Sequence, residues 1–222
     1  KRLTNLHPQA DHLSVGTLES IHWKGADGWN MQGLLIRPAG MSAQHELPMV
    51  TVVHGGPTSV HTHQYYPARH WNQLIAAEGI VVFLPNPRGS TGWGLEFAEA
   101  NLGDMGGKDW EDIQRGIDHC VEQRIADPNR LGIAGWSYGG FMAAWAVTQT
   151  ERFKAAMMGA GIADWRSFHG RSCLCDWDKI HYGGADPWDP EGPFRNFSPI
   201  THVKQARTPT LILHGEEDRD VP

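Results

Sequence analysis

The pentapeptide Gly135-Trp136-Ser137-Tyr138-Gly139 constrains this chain more than any other stretch. It is a G-x-S-x-G pattern, and so short a pattern carries meaning only in the right surroundings. Arg130 to Ala134 reads as a buried strand leading in, and Tyr138 to Thr148 reads as a helix apolar on all sides leading out. A strand that turns directly into a helix passes through a strained elbow, and Gly135 and Gly139 leave room where a Cβ would obstruct it. Ser137 then stands at the sheet edge before a helix N-terminus, which favours developing negative charge.

The rest of the chain supplies a sheet for that elbow. Leu18 to Lys24 and Met31 to Arg37 flank the turn-rich Gly25-Ala26-Asp27-Gly28 and predict an antiparallel hairpin. Short apolar runs then alternate with helical stretches: Met49 to Val53, Ile80 to Leu84, Arg130 to Ala134, Ala155 to Gly159 and Thr210 to Leu213 read as buried strands. Between Asp109 and Ala126, Trp110, Ile113, Ile117, Cys120, Val121 and Ile125 mark one face of an amphipathic helix that Asp127-Pro128 ends. Trp165 to Pro199 has no period and reads as short helices and loops over the sheet. The expected architecture is α/β of the α/β-hydrolase type: a mostly parallel sheet with helices on both faces, opening on an antiparallel hairpin.

Composition narrows the partners. The 222 residues suit one domain. A net charge of −6, without a Lys/Arg run, argues against a nucleic-acid partner. No apolar run approaches the roughly 18–20 residues of a membrane span. Three cysteines, Cys120, Cys173 and Cys175, make no disulfide framework or C-x-x-C pair, which points to a reducing, cytoplasmic setting. His61, His63 and His70 have possible metal spacing but no carboxylate or Cys close in sequence, so they read as solvated loop histidines and no metal or cofactor is expected.

A serine nucleophile needs oxyanion donors, an acid and a base. The backbone N–H of Tyr138 follows the serine, and His54-Gly55-Gly56-Pro57 follows the strand ending at Val53, where a glycine lets an amide turn inward. Past Leu213 come Glu216, Glu217 and Asp218, and spacing alone does not choose among these acids. No histidine follows Asp218. His214 ends a buried strand and is expected to be packed and hydrogen-bonded, while His54 is a substrate-pocket candidate whose side chain would touch substrate. Neither is a convincing base.

The ordered motifs resemble the catalytic domain of the prolyl oligopeptidase family of serine peptidases, its acylaminoacyl-peptidase-like members above all. The resemblance rests on Trp23 to Gly28, His54 to Pro57, Asn86-Pro87-Arg88-Gly89-Ser90, Gly106-Gly107-Lys108-Asp109, the elbow extended to Gly140, and His214 to Asp218 with Val221-Pro222. It implies Ser137 as nucleophile, the Gly56 and Tyr138 amides as oxyanion hole, Asp218 as triad acid and Arg88 as a structural arginine behind the site. His54 departs from branches that carry a tyrosine there, and Met105 stands where relatives often have an aromatic. The resemblance further implies a short peptide substrate and an upstream β-propeller domain, with residues 1–17 as linker or remnant. Residues 18–222 are then a peptidase domain short of its triad histidine by about 35 to 45 C-terminal residues, since a βαβ unit alone takes roughly 30. A carboxylesterase and a non-catalytic binding module of the same fold are the alternatives.

Overall fold

The computed structural model describes residues 8, 12–41, 46–63, 71–174 and 176–222. Most of the expected linker, as well as His70 and Cys175, lies outside the described residues. Strands β1 (Thr17–Lys24) and β2 (Asn30–Arg37) pair antiparallel from Thr17 opposite Arg37 to Lys24 opposite Asn30. The predicted turn joins them, with Asp27 at φ 56° and Gly28 at φ 75°, conformations that Gly and Asp tolerate. β2 pairs antiparallel with β4 (Val81–Asn86). From β4 onward, β3 (Leu47–Val53), β5 (Ala126–Trp136), β6 (Phe153–Gly159) and β7 (Thr210–Leu213) run parallel. Among the described residues the sheet has seven strands in the order β1-β2-β4-β3-β5-β6-β7.

Both faces of the central strands are covered, so these read as unbroken apolar runs instead of alternating, whereas the edge strand β7, expected from its apolar run to be buried, is exposed along its length. Leu34, Ile36, Val82 and Leu84 face one way and pack with Ala76 of α1 (Trp71–Ala77). Their neighbours Leu35, Val81 and Phe83 face the other way, against Ile113 and Ile117 of α3 (Lys108–Glu122) and Phe141 of α4 (Tyr138–Gln149). The short helices α2 (Leu95–Ala98), α5 (Trp165–Arg171), α6 (Trp177–His181) and α7 (Pro193–Asn196) follow, the last three in the stretch expected to hold short helices and loops. None of the helices described is long and apolar enough to cross a membrane.

The helix expected to run to Ala126 stops at Glu122. Arg124 takes a left-handed conformation at φ 56°, and Ala126 already pairs with Leu47 in the sheet. A residue the sequence pattern counted as helical therefore breaks the helix, and Pro128 falls inside β5. The reason is the sheet: Ile125 is drawn into the core as the chain enters β5.

Crossovers fix where a site can form. β3 leads through α1 to β4 on one side, and β5 leads through α4 to β6 on the other. The carboxyl ends of β3 and β5 thus flank the point where strand order reverses, which opens a crevice in sheets of this kind.

One buried ion pair joins the hairpin to the body. Arg88, just past β4, is 3% exposed and its guanidinium Nε and Nη2 donate to both carboxylate oxygens of Asp112 at 2.8 and 3.1 Å. Asp112 also accepts the Ala26 amide at 2.7 Å, while Arg88 donates to the Ala26 carbonyl at 2.9 Å and stacks 5.2 Å from Trp29. This is the structural arginine that the resemblance implied. A buried pair broken on one side leaves an uncompensated charge, costing about 3–5 kcal/mol. With Asp112 gone Arg88 would keep, of its ion pairs among the described residues, only the long contact to the half-exposed Asp27 at 3.4 Å, so Asp112→Ala is expected to lower the stability of the chain by up to that amount in urea denaturation, and a loss below about 1 kcal/mol would show the pair to be dispensable.

Candidate active site

Ser137 lies in the crevice, between the last residue of β5 and the first of α4, at φ 59° and ψ −120°. For an L-residue with a side chain that conformation costs about 1–3 kcal/mol and survives only where its surroundings enforce it. They do so through backbone contact. The Ser137 N–H donates to the Gly159 carbonyl of β6 at 2.9 Å, and its own carbonyl accepts the Phe141 N–H at 2.9 Å. A Cβ on Gly135 would lie 2.2 Å from the Gly139 carbonyl oxygen, and one on Gly139 would lie 2.0 Å from that of Val53. Both glycines of the pattern are required because helix and strands touch main chain to main chain.

The loop after β3 closes on the same point. A Cβ on Gly55 would meet the Trp136 carbonyl at 3.2 Å and the Ser137 Cβ at 3.4 Å, and Gly56 has φ 125°, which a side chain rarely permits. Gly56, Ser137 and Tyr138 meet at a cavity of about 60 Å³ whose other walls are Ile162, Phe168, Leu174, Trp177 and Val221. The first N–H groups of a helix have no intrahelical acceptor, so Tyr138 brings an uncommitted donor to this cavity. On its other side Ser137 borders an open, largely apolar cavity of about 690 Å³, reached by Trp71, Trp136, Met157 and Leu211.

The acid loop reaches the small cavity through Val221, which is buried in the core. Asp218 accepts the Asp220 and Val221 amides at 3.0 and 2.8 Å, so its carboxylate is held in place, whereas Glu216 and Glu217 are exposed. That separates the three acids spacing left equivalent. The loop is also strapped to the chain after α5: Ser172 donates its hydroxyl to the Asp220 carbonyl at 2.6 Å, and the Cys173 amide donates to that of Arg219 at 2.8 Å. His169 of α5 and Asp178 of α6 pair at 2.8 Å and hold together the two helices that wall the cavity.

The histidines differ from expectation in detail. His54 does border the larger cavity but is only 4% exposed. Its Nδ1 faces the Gly55 carbonyl at 2.7 Å and must carry the proton, leaving Nε2 to accept from the Ser90 hydroxyl at 2.9 Å. His214 is hydrogen-bonded as expected, through Nε2 to the Val221 carbonyl at 2.5 Å, with Asp218 at 3.8 Å, but it is not packed away. The reading of His61 and His63 as solvated fails for His61, which is buried, donates to the Val52 carbonyl at 3.0 Å and stacks edge-on against His54. His63 is exposed and bonds the Ser20 hydroxyl at 2.8 Å.

Sequence reasoning missed a buried polar cluster behind the elbow. Asp109, in the first turn of α3, is fully buried, and its carboxylate accepts the Tyr138 hydroxyl, the Gly106 and Trp110 amides at 2.9 and 2.8 Å, and the Asn101 side-chain amide at 3.4 Å. The signal was present in the stripe 109, 112, 113, 116, 117 and 120, which has core spacing and begins with two aspartates.

Fold and site together define an α/β hydrolase organised around a serine elbow. The prolyl oligopeptidase family model matches residues 67–222, and the chain belongs to that family of serine peptidases. It is 41% identical to the uncharacterized peptidase YuxL of Bacillus subtilis over 94% of this chain and 32% of that protein. It is 32% identical to the acylamino-acid-releasing enzyme of Arabidopsis thaliana over 79% of this chain and 24% of that one. The Pyrococcus horikoshii acylaminoacyl peptidase structure superposes with a TM-score of 0.91 at 31% identity, covering 100% of this chain and 36% of that one. The chain thus spans about a third or less of the length of these relatives.

Burial pushes the Asp109 carboxyl up to about 6, against the opposing effect of its hydrogen bonds, and holds the Tyr138 hydroxyl well above the ordinary phenol range, aided by the Asp109 charge. The unfolded chain releases this proton near 3.8. Between these two values the folded state holds more protons than the unfolded, so the stability contribution of Asp109 falls as pH rises. One pH unit of difference is worth about 1.4 kcal/mol. Relative to Asp109→Asn, the chain is expected to lose about 3 kcal/mol of stability between about pH 4 and 7 in urea denaturation. A difference that is flat or rises with pH would contradict a buried, proton-retaining Asp109.

Proposed function

We propose that this chain is the catalytic domain of a serine peptidase that cleaves short peptides through an acyl-enzyme on Ser137. The carrying observation is the meeting of the strained Ser137, Gly56 and the Tyr138 backbone at one small cavity. Ser137 Oγ attacks the scissile carbonyl, and the oxygen that becomes negative is received by the Gly56 and Tyr138 amides. The serine proton passes to a histidine and from it to the departing amine, and water then releases the acyl group by the same route reversed. Asp218 orients that histidine. As the resemblance to the family implies, the base belongs beyond Pro222, in a longer polypeptide that also carries a β-propeller upstream of this domain. Ile162, Phe168, Leu174, Trp177 and Val221 wall the small cavity without a charge, which suits an apolar residue on the acyl side of the cleaved bond.

Labelling by a fluorophosphonate and turnover of a peptide p-nitroanilide test this reading, with the present chain compared to one extended through the downstream coding sequence. The extended protein is expected to label and turn over, Ser137→Ala to abolish both, and Asp218→Asn to lower kcat by about 10⁴-fold. Neither labelling nor turnover in the extended protein, or an unaffected Ser137→Ala, would refute the peptidase reading. Turnover of esters alone would make the protein a carboxylesterase.

A further inference from the structure

We propose that Asp109 is a positioning residue for oxyanion binding, acting through the Tyr138 hydroxyl to fix the backbone N–H of Tyr138. The inference rests on the function proposed above and extends it to a side chain that touches no substrate. Tyr138 has two roles at once: it lines the small cavity as the first residue of α4, whose N–H has no intrahelical acceptor, and its side chain is buried in the core. The plane of that N–H is set by ψ of Ser137 and φ of Tyr138, next to the strained φ of Ser137. A strained turn relaxes unless both of its sides are held. Gly139 against Val53 and the Ser137 bond to Gly159 hold the strand side. On the helix side the ring of Tyr138 is fixed at its far end by the Asp109 carboxylate and packs against the tilted ring of Phe141, centroids 5.3 Å apart.

Asp109 is itself hydrogen-bonded at both carboxylate oxygens. One carboxylate oxygen accepts the Gly106 and Trp110 amides, and the other accepts the Tyr138 hydroxyl and the Asn101 amide. The carboxylate therefore ties the start of α3 and the 101–106 loop to the start of α4, and the anchor for the oxyanion donor belongs to a different element from the donor. Burying a carboxylate without a cation among these partners is costly, and a hydrophobic contact would fill the same space without that cost. What the carboxylate adds is direction, a fixed acceptor at the end of the tyrosine.

The chemistry of Asn at position 109 separates anchoring from charge. Its carbonyl oxygen can keep the two backbone amides, while its NH₂ can donate to the Tyr138 oxygen and, once the Asn101 amide turns over to bring its carbonyl oxygen where its NH₂ now lies, to that oxygen, which has no hydrogen-bond partner among the described residues in the parent. Asp109→Asn thus retains the anchor, whereas Asp109→Ala and Tyr138→Phe remove it. Because the oxyanion exists only in the transition state, a misaligned donor lowers kcat and leaves KM unchanged.

Steady-state kinetics on a peptide p-nitroanilide and the fluorophosphonate inactivation rate, measured on the extended protein, test the proposal. Removing an oxyanion donor outright costs about 10²–10³ in kcat, so loss of its anchor is expected to cost about tenfold or more. Tyr138→Phe and Asp109→Ala should each lower kcat and the inactivation rate by that factor, with KM within about twofold, and their combination should be no worse than either alone. Asp109→Asn should stay within about threefold of the parent. Where Asp109→Ala does not fold, Tyr138→Phe made in the Asp109→Asn background, which leaves no buried charge unpaired, decides by comparison with Asp109→Asn. Folded Tyr138→Phe proteins with parental kcat, or an Asp109→Asn protein as impaired as Asp109→Ala, would overturn the proposal while parental turnover and an inactive Ser137→Ala leave the peptidase reading standing. A parent without turnover would overturn both.

Discussion

Backbone touching backbone at the head of α4 is the constraint on which the rest of this structure depends. Gly139 sits where any Cβ would strike the Val53 carbonyl, and Gly140 where it would strike that of Gly159, 2.4 Å away. So close an approach brings the helix N-terminus onto the ends of β3 and β6, and it leaves Ser137 no relaxed conformation. Strain at the elbow is sustained by the apolar surface that α4 buries along its whole length. The reward is placement: the serine, the loop after β3 and the first helical amide converge on one cavity.

Around this contact the polar groups form two buried anchors, each begun by an aspartate of α3. Asp112 gathers Arg88 and the hairpin turn, and Asp109 gathers Tyr138 and the loop before the helix. Both carboxylates lie on the stripe that also carries Ile113 and Ile117. The helix therefore does more than cover the sheet; it fixes three loops in relation to one another, where hydrophobic packing alone would leave their orientation loose. On the opposite wall the attachment is lighter. The Asp218 loop is held by short hydrogen bonds to residues 172 and 173 and by Val221 in the core, and it lies beside β7, whose Leu211, Ile212 and Leu213 are exposed.

Much of the fold was legible because its signals are local. Runs of buried residues mark strands, Asp27-Gly28 marks the hairpin turn, and two glycines bracket the serine. The helix end was misplaced because Arg124 breaks the helix under the pull of the sheet, a cause no local pattern carries. His61 was misread for a similar reason, since a polar loop residue becomes buried only when the backbone of β3 offers it the Val52 carbonyl.

The sequence by itself determined the strand–elbow–helix unit, the direction of the sheet and the residue types that meet at its end, because strand and helix periods and glycine's lack of a Cβ act between near neighbours in the chain. Spacing left three adjacent acids equivalent, and tertiary structure shows which of them is held, that His54 turns its nitrogens to Gly55 and Ser90, and that Asp109 grips a tyrosine 29 residues away. Those outcomes follow from burial and from hydrogen bonds between distant segments, and such bonds exist only once the crossovers have brought the segments together.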